Sequence, residues 1–217
     1  MKKVIIIGAG PSGIMAALYA SMESSKVILI DKNNVLGKKL LITGGGRCNL
    51  TSNLPLDDFY SHITGNKKFL FSAFNFFGKK ELLNLFEKEN IRFKTEGDKI
   101  YPVSDRADDI LAVLEKLLIE HKIDIRLNEE VTNFVVENAK LSSVKTNKTI
   151  YEADSVIICT GGCSYPATGS DGKMFKILKG FDIKVTSLHP ALVSLKTSLN
   201  KSLAGISLNN VELKAKY

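Results

Sequence analysis

The apolar run Val4-Ile5-Ile6-Ile7 opens straight into Gly8-Ala9-Gly10-Pro11-Ser12-Gly13. A second run, Val27-Ile28-Leu29-Ile30, ends on Asp31, eighteen residues past Gly13. No other feature of the chain restricts its fold as much. Four consecutive apolar residues suit a strand covered on both faces, as in a parallel sheet. The stretch between the runs predicts a helix over 11–23, with Ile14, Ala17, Leu18 and Met22 at helical spacing and Pro11 where no intrahelical N–H is needed. Strand, glycine turn, helix and strand within about thirty residues form the first half of a βαβ unit. In that context G-x-G-x-x-G is a dinucleotide-binding fingerprint. Gly8 permits the tight turn, Gly10 lets backbone approach a pyrophosphate, and Gly13 lets helix and strand pack closely. A diphosphate belongs at the helix N-terminus, where free N–H groups and the helix dipole favour negative charge. Asp31 is placed to accept hydrogen bonds from ribose hydroxyls, and its charge argues against a 2′-phosphate there.

The next segment is of another kind. Gly44-Gly45-Gly46 precedes Arg47, Cys48 and Asn49. Three adjacent glycines cost much backbone entropy to order, so they suit a tight turn or a backbone that touches a ligand. Cys48 beside Arg47 reads either as an activated thiolate or as a small side chain packed in the turn. Helices are expected over 66–77 and 79–90, broken near Gly78, with Phe69, Phe71, Phe74, Phe76 and Phe77 assigned to helical packing. Short strands over 91–103 turn at Gly97-Asp98. An amphipathic helix runs over 105–121, capped by Ser104 or Asp105. Strand-like segments occupy 123–127, 130–136, 140–145 and 149–153, and a buried strand runs through Val156-Ile157-Ile158-Cys159. A loop over 164–172 leads to a short helix over 172–179. From there the pattern is β: 182–186, 191–195, 202–208, and a half-buried strand over 211–217 that ends without a partner.

The bulk properties exclude several classes. The net charge of +7 is spread over pairs such as Lys2-Lys3, Lys38-Lys39, Lys67-Lys68 and Lys79-Lys80, so no nucleic-acid partner is expected. Cys48, Cys159 and Cys163 form no C-x-x-C pair and no zinc pattern, which points to no metal and to a reduced, cytoplasmic setting. No apolar stretch approaches the ~20 residues that span a bilayer. There is no nucleophile elbow, no Walker loop and no assignable carboxylate pair, so no catalytic side chain is identified.

Beyond the fingerprint, several blocks occur in order. They are Lys38-Lys39-Leu40-Leu41-Ile42-Thr43-Gly44-Gly45-Gly46-Arg47-Cys48-Asn49-Leu50-Thr51, Tyr101-Pro102-Val103-Ser104-Asp105-Arg106-Ala107, Cys159-Thr160-Gly161-Gly162-Cys163-Ser164-Tyr165-Pro166-Ala167-Thr168-Gly169-Ser170-Asp171-Gly172, and Pro190-Ala191-Leu192-Val193. On these blocks the chain resembles the HI0933-like (YhiN/BaiN-like) family of bacterial NAD(P)/FAD-dependent oxidoreductases, over essentially its whole length. The resemblance implies an α/β, Rossmann-like FAD-binding domain of the two-dinucleotide-binding flavoprotein type over residues 1–187. The start of an inserted, mainly-β domain would come next, over 188–217.

It also implies a site. Gly8, Gly10, Pro11, Ser12 and Gly13 would cradle the FAD pyrophosphate, with Asp31 at the adenosine ribose and Lys32 also among the cofactor-binding residues. Lys39 and Gly44, Gly45, Gly46, Arg47, Cys48 and Asn49 would run along the ribityl and flavin end. Val131 would offer backbone groups to the adenine. Thr160, Gly161 and Gly162 would close the site, with Gly169, Asp171 and Gly172 in a loop near the flavin. Arg106 belongs to one of the matching blocks. Family members run to roughly twice this length, so the resemblance implies a missing C-terminal half that completes the flavin contacts. The expected activity is FAD-dependent oxidation or reduction of a small-molecule substrate, with NAD(P)H as an electron partner. A nicotinamide-only dehydrogenase and a non-enzymatic nucleotide-binding or RNA-interacting protein are the competing readings.

Overall fold

We describe residues 1–189 and Glu212 of the computed structural model. The chain divides into two units, Met1–Ile183 and Lys184–Tyr217, and all its described helices and strands belong to the first. The expected strands beyond residue 190 lie outside the described residues.

Along the chain, β1 (Lys3–Ile7), α1 (Pro11–Met22) and β2 (Lys26–Ile30) are succeeded by a 3-10 segment over Leu40–Gly46. Next come β3 (Thr51–Ser52), α2 (Leu56–Ser61), a 3-10 turn over Lys67–Leu70, α3 (Phe71–Phe76) and α4 (Lys79–Glu87). After them come β4 (Phe93–Glu96), β5 (Lys99–Pro102), α5 (Ala107–Glu120), β6 (Asp124–Arg126), β7 (Val131–Glu137), β8 (Lys140–Thr146), β9 (Ile150–Glu152) and β10 (Ser155–Ile158). The short α6 (Lys173–Lys179) closes the unit. A four-stranded parallel sheet in the order β10-β1-β2-β6 forms its centre. Two antiparallel three-stranded sheets, β3-β5-β4 and β7-β8-β9, accompany it.

The continuous apolar runs of β1 and β2 are explained by two cores. Val4, Ile6, Val27 and Leu29 face α1 and α5, packing with Ile14, Leu18, Ile110, Leu114 and Leu118. Ile5, Ile7, Ile28 and Ile30 point the other way, into a cluster with Val131, Phe134, Val144 and Met174. Alternation along a strand sends successive side chains to opposite faces, so a strand covered on both sides must be apolar throughout.

Four expectations are corrected. The strand over 156–159 is the sheet edge among the described residues, with Ile157 and Ile158 exposed rather than buried. Asp105 does not cap α5: the N-cap is Arg106 with no side-chain bond, and the Asp105 carboxylate is bound by Arg47 and Lys94 instead. Residues 182–186 form no strand, because Asp182 and Ile183 donate back to the carbonyls of Lys179 and Leu178 and so end α6. The aromatics of 69–77 are not all packed: Phe69 and Phe76 are 80% and 71% exposed.

Candidate dinucleotide site

The cleft opens where the parallel strands end. Gly8 follows β1, Asp31 follows β2, Glu129–Val131 follow β6, and Cys159–Gly161 follow β10, and all of them line it. Ligands of open parallel sheets bind beyond these carboxyl ends, because there the strand connections diverge to opposite faces.

The fingerprint glycines do three physically different things. Gly8 sits at φ +101, and a Cβ there would lie 2.5 Å from the Cys159 carbonyl oxygen, so the turn passes directly over β10. A Cβ on Gly13 would run into the Gly8 carbonyl oxygen, so α1 meets the turn backbone to backbone. A Cβ on Gly10 would meet nothing within 4 Å. Gly10 therefore leaves space for a ligand, whereas Gly8 and Gly13 close space within the protein. Gly10 is the N-cap of α1, which has no side-chain cap and no acidic residue in its first turn. This uncapped end beside open space suits a diphosphate.

Asp31 is already engaged. One carboxylate oxygen accepts from the Ala9 N–H at 2.6 Å, and the other from the Asn33 backbone and side-chain N–H groups at 2.7 and 2.9 Å. It therefore holds the fingerprint turn against the end of β2. An ionised carboxylate has about four acceptor positions, so capacity for a ribose hydroxyl remains.

A second set of bonds ties the 32–39 segment to the 164–171 loop. Lys32 pairs with Asp171 at 2.8 Å, and Asn33 Nδ2 donates to the Thr168 carbonyl at 3.1 Å. Lys39 Nζ donates to the Ser164 carbonyl and to Ser170 Oγ, both at 2.7 Å. Burial works to raise the Asp171 pKa, but the Lys32 hydrogen bond and the Lys173 N–H outweigh it and hold the carboxyl below its ordinary value. Residues 168–171 thus lie over the Lys32–Asn33 turn, on the Asp31 side of the cleft. Lys173 bridges to Glu130 at 2.8 Å on the same rim.

Of the residues expected at the site, Gly8, Gly10, Pro11, Ser12, Asp31, Lys32, Lys39, Val131, Thr160, Gly161, Gly169 and Asp171 line the cleft. Gly13 lies behind it. Gly162 is outside the lining, and Gly172 is spent as the N-cap of α6 at φ +74. The Gly44–Asn49 stretch also lies outside the lining. Gly44 and Gly45 have left-handed dihedrals that break the 3-10 segment, and a Cβ on Gly44 would press on the Tyr101 ring at 3.0 Å.

Arg47 is clamped rather than free. Its Nε binds Asp105 at 2.7 Å, its Nη2 binds Glu96 at 2.6 Å, and its guanidinium stacks on Tyr101 at 4.1 Å. Lys94 completes the cluster with both carboxylates. Hydrogen bonds from these cations hold Glu96 and Asp105 below the usual carboxylate range. Cys48 is buried in the main core, and burial pushes its thiol up against the opposing effect of a Thr43 hydrogen bond. It is a packing residue and not an activated thiolate. Arg106 is exposed and pairs with Asp109 at 3.8 Å, away from the cleft.

Sequence reasoning missed Asn33, Glu129, Ser170 and Lys173, all at the cleft. Glu129 is buried, accepting from Thr146 Oγ1 at 2.6 Å and Tyr151 OH at 3.2 Å. It anchors the β7-β8-β9 sheet at the point where Val131 enters the cleft. A Glu-Glu pair just before the Val131 strand was its only signal.

Sheet order, fingerprint turn and cleft define an FAD-binding, oxidoreductase-type Rossmann fold. Three solved structures share it at low identity. A flavocytochrome c3 fumarate reductase aligns at TM-score 0.58 and 20% identity, over 82% of this chain and 40% of its own. A 3-ketosteroid-delta4-(5alpha)-dehydrogenase from Rhodococcus jostii RHA1 aligns at 0.58 and 13%, over 76% and 47%. Thermovibrio ammonificans THI4 aligns at 0.52 and 12%, over 84% and 64%.

The chain belongs to the HI0933-like family: the HI0933-like protein Rossmann domain matches residues 2–216. It is 34% identical over 202 residues to a 3-dehydro-bile acid delta(4,6)-reductase of Clostridium scindens, covering 90% of this chain and 48% of that protein. It is 30% identical over 191 residues to the ribosomal RNA dihydrouridine synthase of Escherichia coli, covering 87% and 46%. The Haemophilus influenzae enzyme of the same name is 27% identical over 211 residues, covering 94% and 52%. The chain thus spans about half the length of the curated relatives it matches. The two synthases overturn the expectation of no nucleic-acid partner, which rested on dispersed charge alone. No helix among the described residues is long and apolar enough to cross a membrane.

Proposed function

We propose that this chain is the dinucleotide-binding part of an FAD-dependent reductase that saturates a ring C=C bond conjugated to a carbonyl. The observation that carries the reading is the cleft itself: an uncapped helix end, open space at Gly10, and an acidic residue at the end of β2. The bond chemistry is supported by what the relatives' names have in common. A 3-dehydro bile acid reduced at its 4,6 positions and a uridine reduced to dihydrouridine each lose a ring double bond conjugated with a carbonyl group.

When bound, FAD supplies two-electron hydride chemistry that side chains lack. The protein's share is binding and orientation. The first turn of α1 receives the diphosphate, and Asp31 accepts from the ribose. The backbone at Val131 meets the adenine, and Lys39 holds the 164–170 loop over the cofactor path. The Arg47 cluster fixes the glycine-rich turn from outside the cleft. Residues 1–187 form the dinucleotide-binding part in this reading, and 188–217 begin a second, β-rich domain. NAD(P)H is the electron source, and a cytoplasmic setting agrees with three free cysteines.

The test is anaerobic incubation of the protein with FAD and NAD(P)H, offering a 3-oxo-4,6-diene bile acid in one arm and uridine-containing RNA in the other. Gain of two hydrogens by one substrate, seen by mass, is the expected outcome. Flavin binding without reduction of either substrate would sink the proposed bond chemistry.

A further inference from the structure

Residues 59–80 differ from the rest of the chain. Six of its eleven phenylalanines and four of its lysines fall there, and no aspartate or glutamate does. The structure sorts these aromatics into two sets. Phe59, Tyr60, Phe71 and Phe74 pack on one another, with ring centroids 5.3 Å apart for Phe59–Phe74 and 4.6 Å for Tyr60–Phe71, and they fix α3 on α2. Phe69 and Phe76 are largely exposed, Phe76 with one side against the Tyr19 ring at 5.8 Å between centroids, and neither α3 nor the preceding 3-10 turn has a buried residue. Lys67, Lys68 and Lys80 are exposed and make no ion pair among the described residues. Lys79, by contrast, is used internally, donating to the carbonyls of Asn53 and Leu54. Of the flanking acids, Glu81 is acted on by the Lys80 charge. Asp57 and Asp58 occupy the first turn of α2, and Glu81 folds back onto the Gly78 N–H at 2.9 Å.

The same lobe holds a pocket of 230 Å³ walled by Leu54, Leu56, Phe59 and Phe74, with Lys80 and Glu81 also lining it. An apolar cavity of about 150 Å³ already accepts a benzene ring, so this pocket has room for a planar base. Solvated lysine faces carry interspersed acids, and core phenylalanines are buried. Unpaired lysines beside exposed rings answer a different demand: cations for a phosphate backbone and π-faces for unstacked bases.

We propose that this lobe is a binding face for single-stranded RNA. Lys67, Lys68 and Lys80 meet phosphates, Phe69 and Phe76 stack on bases, and the Phe59–Phe74 pocket receives a splayed base. The inference rests on the reductase reading in its nucleobase form, and it places the RNA contact on a lobe separate from the dinucleotide cleft.

The experiment titrates the FAD-supplied protein into a fluorescein-labelled, uridine-rich single-stranded RNA and reads anisotropy over a range of salt concentrations. Three phosphate contacts give a log–log salt slope of about −2. The variant K67E/K68E/K80E is expected to lose at least about tenfold in affinity and to flatten that slope. F69A/F76A is expected to lose about tenfold or more, because each stacked base contributes on that order. Thermal midpoints measured alongside show that both variants fold. Wild-type affinity in both variants overturns the proposal, as does a wild type that fails to bind. If F69A/F76A instead dissolves a dimer seen by light scattering and leaves RNA binding intact, the face belongs to a second copy and the proposal falls. A parallel FAD titration separates the two readings: flavin binding lost with RNA binding intact counts against the reductase, and the reverse counts against this face.

Discussion

Gly10 and Gly13 lie three residues apart and tolerate a methyl group very differently. At Gly13 an added Cβ runs into the Gly8 carbonyl, and both partners are backbone that cannot give way. Gly13→Ala is expected to destabilise the fold by about 3 kcal/mol, the upper part of the range for overpacking, as read from the denaturant midpoint. At Gly10 the same change is made at φ −78 and into open space. Gly10→Ala should leave stability within about 0.5 kcal/mol of wild type. It should nonetheless weaken FAD binding at least tenfold by flavin-fluorescence titration, because the new methyl group occupies the ligand's space. Equal loss of stability in both variants would show that Gly10 serves packing only. The motif spacing in the sequence named both glycines. The structure shows which one borders open space, because that depends on what β10 and α1 bring alongside.

Among the elements, the junction between the glycine-rich turn and the β4–β5 meander rests on Arg47, Lys94, Glu96 and Asp105. Asp105 and Glu96 have ordinary values of 3.8 and 4.5, and the folded protein holds both lower through the hydrogen bonds of Lys94 and Arg47. Their contribution is therefore complete above those values and is lost as pH falls through the lowered folded-state ones. Arg47→Ala should lower the thermal midpoint at neutral pH. The gap from wild type should hold down to about pH 5 and close in more acidic solution, as scanned by circular dichroism. A gap that widens in acid would contradict this assignment. The ties from Lys32, Asn33 and Lys39 to the 164–171 loop lead to a second expectation. Lys39→Ala removes both the Ser164 and the Ser170 bonds, so amide exchange across 164–171 should quicken while α1 and β1 stay protected. Neither junction was legible beforehand. Arg47 and Asp105 are 58 positions apart and Lys39 and Ser170 are 131 apart, and no local periodicity encodes a pairing at that distance.

For the molecule as a whole, the cleft is the place where distant segments meet, so a ligand there should stabilise the unit globally. A ligand at about one hundred times its Kd adds about 2.7 kcal/mol, and FAD is expected to raise the thermal midpoint of wild type accordingly and that of Gly10→Ala far less at the same concentration. No shift in wild type would remove FAD from this cleft. The β1–α1–β2 unit, its place at the centre of a parallel sheet and a dinucleotide as the class of its ligand were all readable from the sequence. Each of these is written in local spacing: apolar runs, glycines at fixed intervals, an acid closing a strand. The sequence also suggested, wrongly, that dispersed lysine pairs exclude nucleic acid and that the phenylalanines of 69–77 are core. The packing of Cys48, the hold on Arg47 outside the cleft, the bracing of the fingerprint turn by Asp31 and the exposure of Phe69 and Phe76 came from the tertiary fold alone. Burial and pairing depend on which elements are brought against a residue, and the residue's sequence neighbours do not specify that.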